Sequence, residues 1–200
     1  DYHLMSALEK HARLMPHLHL SVQHGDDLIL KRMKRRHLAR DVLRFCEEAR
    51  RRRPDVVFGA DLISGFPTET EAAHQKSIEL ITEADLTHLH VFGYSARAGT
   101  PAALMPQLER NVVKQRVSAL RRCGDEQLAR HLKRRVGTAD MLLLEKDKKG
   151  YLSGYEKAQL TSADTQELKA GDLLAVNIES VANGFVRVTP LCSQTASAVS

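Results

Sequence analysis

Within its first 92 residues the chain switches its apolar period from helical to alternating three times, and that switching restricts the folds open to it. "HLMSALEKHARLMP" (3–16) spaces Leu4, Leu8 and Met15 at roughly helical intervals, and Pro16 stops the run. "HLHLSVQ" (17–23) then sets Leu18, Leu20 and Val22 on one face and His17, His19 and Ser21 on the other, as a strand does. Residues 25–55 return to helical spacing as one run closed by Pro54. "VVFGADLIS" (56–64) reads as a strand buried on both faces, 71–84 as a helix and "LTHLHVF" (86–92) as a third strand. Strands and helices alternating at these lengths predict right-handed βαβ crossovers and a parallel sheet. A long helix is expected over 107–137.

After it the composition shifts to short β-rich segments broken by "KKG", "KAGD" and "ANG", the pattern of a small all-β barrel. The expected organisation is an α/β domain over 1–136, a β-barrel over 137–192 and a disordered tail over 193–200. Three βα units make only half of a closed barrel. The chain also opens at Asp1 inside a helical pattern, which reads as a piece of something longer.

Charge is distributed unevenly along this plan. Residues 1–135 carry net +7 and residues 136–200 net −2, so the basicity that suits a polyanionic partner belongs to the first domain. Aromatic residues are only 4%, which leaves few rings for stacking on single-stranded nucleic acid. Cys46, Cys123 and Cys192 lie 77 and 69 residues apart, so the short spacings of zinc, haem and iron–sulfur sites are missing and reduced thiols are expected. There is no apolar run of about 18 residues and no leader pattern, so a cytosolic protein without a membrane partner is expected.

Ligands of parallel α/β folds lie beyond the carboxyl ends of the strands. Three polar, glycine-containing loops fall there: "QHGDD", "GFPTETE" and "GYSARAGTP". In the first, Gln23 can donate and accept hydrogen bonds, while Asp26 or Asp27 can equally serve as a helix cap. In the second, Glu69, Thr70 and Glu71 stand where a helix begins and favour its dipole. Asp61, inside an apolar strand, needs a polar interior or an ion-pair partner. The pairs His17/His19 and His88/His90 each occupy one strand face, a geometry used by metal-dependent hydrolases, although no carboxylate–histidine set is evident beside them. Residues 31–53 hold eleven Lys or Arg, a solvated helix face or a phosphate-contacting one.

Taken together, "HLHLSVQHGDDLILKRMKRRH", "FGADLISGFPTETE" and "LTHLHVFGYSARAGTPAALMPQ" resemble, in order and spacing, the second half of the radical S-adenosylmethionine domain of tRNA methylthiotransferases. The β-rich end resembles their TRAM domain. "HLSVQ" with Ser21 and "TPAALMPQ" look most like the branch that acts on threonylcarbamoyladenosine beside the anticodon. The resemblance implies a partial TIM-type barrel followed by an OB-like barrel, with tRNA as partner. It also implies S-adenosylmethionine and two 4Fe-4S clusters as cofactors of the complete enzyme.

One cluster splits S-adenosylmethionine into a radical that abstracts hydrogen, the second supplies sulfur, and a further S-adenosylmethionine supplies the methyl group. By position of match, Asp61, Ile63, Gly65 and Glu69 fall on the cofactor side, joined by Gln23 and Arg35. Tyr94, Ser95 and Arg97, with Lys146, Lys148, Lys149 and Arg187 of the second domain, fall on the substrate side. The family's three-cysteine cluster motif is absent from this chain, so no metal ligands and no activity are expected of it alone. His24 replaces the family's usual serine, and Gly93 and Ala98 its usual prolines. Two further readings stay open: a stand-alone RNA-binding module using the basic faces of 31–53 and 110–135, and a metal-dependent hydrolase using the H-x-H pairs.

Overall fold

A computed structural model describes residues 2–161, 168–182 and 184–191. The expected tail 193–200 and Cys192 lie outside the described residues. These fall into two compact units: residues through Leu14 with Leu18–Leu128, and Met15–His17 with the described residues from Ala129 on.

The first unit is built on a three-stranded sheet in the order β1-β2-β3, with β1 over His17–Gln23, β2 over Val57–Ser64 and β3 over Leu86–Gly93. β2 and β3 run parallel, Asp61 opposite His90 and Ile63 opposite Phe92. Helices α1 (Tyr2–Lys10), α2 (Asp27–Arg32), α3 (Ala39–Arg52), α4 (Glu71–Glu83) and α5 (Arg110–Arg135) connect and follow the strands. α1, α3, α4 and α5 supply Leu8, Cys46, Ile81 and Leu120 to a core that meets Val22, Phe58, Ala60 and Leu62 of the sheet. Alternation does the sorting, because residues two apart along a strand share a face.

Two expectations need correcting. The run 25–55 is two helices rather than one. Lys34 takes a left-handed φ of 58°, the Arg35 N–H donates to the Leu30 carbonyl at 2.9 Å and the Lys34 N–H to that of Lys31 at 3.0 Å. That is the Schellman arrangement, which ends α2 before α3 can begin. "KRMKRR" is therefore largely a turn and not one helix face.

β2 is buried on both faces only through its first half. Phe58, Ala60, Leu62 and Ser64 are buried along one face, while on the other Val57 and Gly59 are buried and Asp61 and Ile63 only half-buried. Much of the basic run is spent on internal bonds as well. Arg50 donates to the Ala84 carbonyl at 2.8 Å and lies over the Phe58 ring, and Arg53 donates to the Leu14 carbonyl at 2.7 Å.

In the second unit β4 (Ala139–Leu144), β5 (Lys149–Leu152), β6 (Lys157–Leu160), β7 (Leu173–Ala182) and β8 (Phe185–Pro190) close into a barrel in the order β4-β5-β6-β8-β7. The β6–β8 pairing is parallel, while the β4–β5, β5–β6, β7–β8 and ring-closing β4–β7 pairings are antiparallel. Leu142, Ala158, Val176, Ile178, Val186 and Val188 fill its interior. Glu156 is 1% exposed and is held by His131 at 2.7 Å and Arg135 at 3.8 Å. A buried carboxylate needs such partners to stay ionised.

Candidate functional site

The three loops beyond the strand ends are stapled to one another. Gly25 allows the first to press on α4. A Cβ there would stand 2.4 Å from the Lys76 carbonyl oxygen, and the Gly25 N–H donates to Ser77 Oγ at 2.9 Å. Asp26 caps α2 through the Leu28 and Ile29 N–H groups and accepts from Lys76 Nζ at 2.7 Å. Burial pushes its carboxyl up, but the Lys76 hydrogen bond and charge and the cap bonds outweigh that and hold it below its usual value. Asp26 is thus a structural cap, as its position allowed.

Gln23 is 7% exposed, takes a φ of 71° and accepts from Arg35 Nη2 at 3.0 Å. Arg32, at the end of α2, donates to Thr68 Oγ1 and so ties that helix to the second loop.

Glu69 organises the second loop. It is 4% exposed, and its Oε2 accepts from the N–H groups of Gly65 and, at 3.1 Å, Phe66. Its Oε1 faces His74 Nδ1 at 3.4 Å, His24 Nε2 at 3.7 Å and Arg116 Nη1 at 3.7 Å. Burial raises its pKa, yet His24, His74 and the Gly65 N–H more than compensate and hold the carboxyl at about 2. Gly65 has a φ of +81° and packs where a Cβ would meet Val113 at 2.7 Å, so the turn excludes a side chain. Glu69 and Gly65 therefore shape the rim from behind, and Glu69 is turned away from solvent.

The third loop joins through Tyr94, whose N–H donates to the Ser64 carbonyl at 2.8 Å. Its ring meets Phe66 edge-on at 5.1 Å. Ile29, Phe66 and Ala73 with Met33, Tyr94 and Ala102 form one small apolar cluster that joins α2 and α4 to the second and third loops. Ser95 and Arg97 are exposed.

The sheet face away from the helices carries the remaining candidates. Asp61 Oδ1 receives His19 Nε2 at 2.9 Å and faces His90 Nδ1 at 3.3 Å. The carboxylate–histidine set that the sequence did not reveal is thus present, assembled from three strands. Nearer the loops, Ile63 stands opposite Phe92, which is 54% exposed. This apolar patch at the carboxyl end of the strands went unrecognised in the sequence, where Phe92 reads simply as a strand residue.

In the second unit Lys149 pairs with Gln159 and Gln159 with Arg187, one row across three strands. Lys149 Nζ lies 5.3 Å from the Phe185 ring centre and Tyr151 stacks on Tyr155 at 4.7 Å. Lys146 and Lys148 lie in the neighbouring turn among Glu145 and Asp147.

The open face offers a nucleoside-bearing cofactor an apolar surface, Ile63 and Phe92, with a carboxylate acceptor, Asp61, two residues away. The cysteines suit a cluster less well. Burial pushes the Cys46 thiol up to about 11, against the thiolate a cluster needs, and Cys46 and Cys123 lie on separate helices. Among the described residues no helix is long and apolar enough to cross a membrane.

Residues 2–81 match the model of the radical SAM superfamily. The chain is 42% identical over 187 residues to the threonylcarbamoyladenosine tRNA methylthiotransferase MtaB of Rickettsia prowazekii, covering 94% of this chain and 44% of that protein. It is 36% identical to the protein of the same name from Thermotoga maritima, over 77% of this chain and 36% of that protein. It is 35% identical to the tRNA-2-methylthio-N(6)-dimethylallyladenosine synthase of Bartonella bacilliformis, over 93% and 42%. The chain thus spans less than half the length of these curated relatives.

Proposed function

We propose, for a chain that belongs to the radical SAM tRNA methylthiotransferases, that it forms the cofactor- and substrate-positioning part of an enzyme that methylthiolates threonylcarbamoyladenosine in tRNA. The observation that carries this reading is the joined rim. Three loops, each at a strand's carboxyl end, are tied together by Glu69 facing His24 and by the Phe66–Tyr94 contact, with Arg32–Thr68 joining α2 to them, beside the open sheet face that carries Asp61, Ile63 and Phe92.

Residues 1–136 act in this reading as the second half of a radical SAM barrel, and the barrel from 137 as a TRAM-like, OB-like module. The parallel β6–β8 pairing in an otherwise antiparallel closed barrel supports the latter. The protein is cytosolic and works on tRNA.

When bound, S-adenosylmethionine with two 4Fe-4S clusters supplies the radical, sulfur and methyl chemistry, and the cluster ligands come from outside this chain. The residues here bind and orient. Ile63 and Phe92 give the adenosine end an apolar surface, and Asp61 offers an acceptor beside it. Gly65 and Glu69 fix the turn against which the cofactor lies. Arg35, anchored by Gln23, and Arg97 present guanidinium groups to anionic groups of cofactor or tRNA. Tyr94 and Ser95 line the same rim. Lys149 and Arg187, with Lys146 and Lys148 nearby, contact phosphates, and the row they share with Gln159 gives them a common line.

Arg35→Ala and Arg97→Ala in the complete enzyme test this. Each is expected to lower the methylthiolated fraction of threonylcarbamoyladenosine in a gene-disrupted strain while leaving the melting temperature in place. Full modification by both variants would remove these residues from the site.

A further inference from the structure

We propose that His19, Asp61 and His90 form a binding site for a divalent d-block cation of the Zn²⁺ class, separate from any thiolate-held cluster. One residue comes from each strand of the sheet, and Asp61 and His90 stand directly opposite each other in register. Two imidazole nitrogens converge on the single oxygen Asp61 Oδ1, at 2.9 Å from His19 Nε2 and 3.3 Å from His90 Nδ1. The three donor atoms all lie within 4.8 Å of one another.

Ligand bonds of about 2.0–2.1 Å imply donor separations of about 2.9–3.4 Å along the edges of octahedral and tetrahedral shells. Two of the three separations already fall there. The third closes by rotation of the His90 ring, whose side chain is 64% exposed. The rings lie 4.8 Å apart, tilted by 37°, so neither blocks the other.

Surroundings favour a cation over a plain hydrogen-bonded triad. Side chains of His19 and Asp61 are 34% and 32% exposed, so a hydrated ion enters from the open face and keeps water in its remaining positions. Gly59, opposite His88, adds no side chain at the level next to Asp61. Two imidazoles with one carboxylate select Zn²⁺, Co²⁺ or Ni²⁺ over Mg²⁺ or Ca²⁺, which prefer oxygen. Each H-x-H pair contributes only one histidine, so the set uses neither pair as a chelate.

Titration of this chain with Co²⁺, followed by its visible absorption and by calorimetry, tests the site without S-adenosylmethionine, so its outcome is independent of the activity proposed above. The expected result is one Co²⁺ per chain, displaced by Zn²⁺, with affinity reduced at least about tenfold in each of Asp61→Asn, His19→Gln and His90→Gln and unchanged in His88→Gln. Absence of binding, binding unchanged in Asp61→Asn, or an equal loss in His88→Gln overturns the proposal. Should a variant fail to fold by circular dichroism, imidazole ¹⁵N resonances of the unsubstituted chain decide. Zn²⁺ must shift His19 Nε2 and His90 Nδ1, and shifts confined to His17 or His88 overturn the assignment.

Discussion

Replacing Glu69 by Gln keeps the shape of the side chain and removes its charge. The amide oxygen can still accept from the Gly65 and Phe66 N–H groups, but the amide nitrogen then faces Arg116 and two histidine nitrogens where an acceptor stood. The carboxyl is held at about 2 against an ordinary 4.5, a difference worth about 3 kcal/mol through proton linkage. Because the folded-state pKa is depressed, that stabilisation is complete above about pH 4.5 and fades as pH falls toward 2.

Urea unfolding followed by far-UV circular dichroism, with amide exchange of Gly65 and Phe66, reads the effect. At pH 7 the variant is expected to be less stable by about 2–4 kcal/mol, and the gap should narrow steadily between pH 4.5 and 3. A gap under about 0.5 kcal/mol at pH 7, or one that stays constant through that range, refutes the view that Glu69 is an ionised internal anchor.

Gly25→Ala drives a methyl into the Lys76 backbone and should cost about 2 kcal/mol or more, seen as a lower thermal midpoint; wild-type stability would mean that the loop yields freely. Glu156→Gln should destabilise the barrel. Burial raises this carboxyl, but the His131 hydrogen bond and the Arg135 charge hold it below its usual value. Its contribution is therefore present at neutral pH and lost as pH falls through the carboxylate range, and equal acid sensitivity of variant and parent in thermal melts would contradict this. Phe92→Ala in the complete enzyme should weaken S-adenosylmethionine binding by a factor of ten or so, about 1.4 kcal/mol, with little change in melting temperature because the ring is 54% exposed; unaltered binding removes Phe92 from the cofactor surface.

Periodicity carried the strands because each has one face to bury. "HLHLSVQ" and "LTHLHVF" alternate, and the observed β1 and β3 follow them closely. It failed at "KRMKRRH", where charged residues fit a helix as well as a turn and only the left-handed Lys34 separates the two. Asp61 announced its need for partners, since a lone carboxylate in an apolar strand is costly. The partners themselves were hidden, because His19 lies 42 residues away and register places it there. Glu69 read as a helix-start carboxylate. Its ring of His24, His74 and Arg116 depends on how three elements pack, which spacing along one chain does not encode. The Lys149–Gln159–Arg187 row likewise exists only once β5, β6 and β8 are in register.

The proposed methylthiolation of threonylcarbamoyladenosine in tRNA is read by mass spectrometry of total tRNA nucleosides, with and without the gene that encodes this chain. Disruption should abolish the methylthio derivative of threonylcarbamoyladenosine and leave the unmethylthiolated nucleoside in its place, with restoration on re-expression. An unchanged nucleoside profile would contradict the claim.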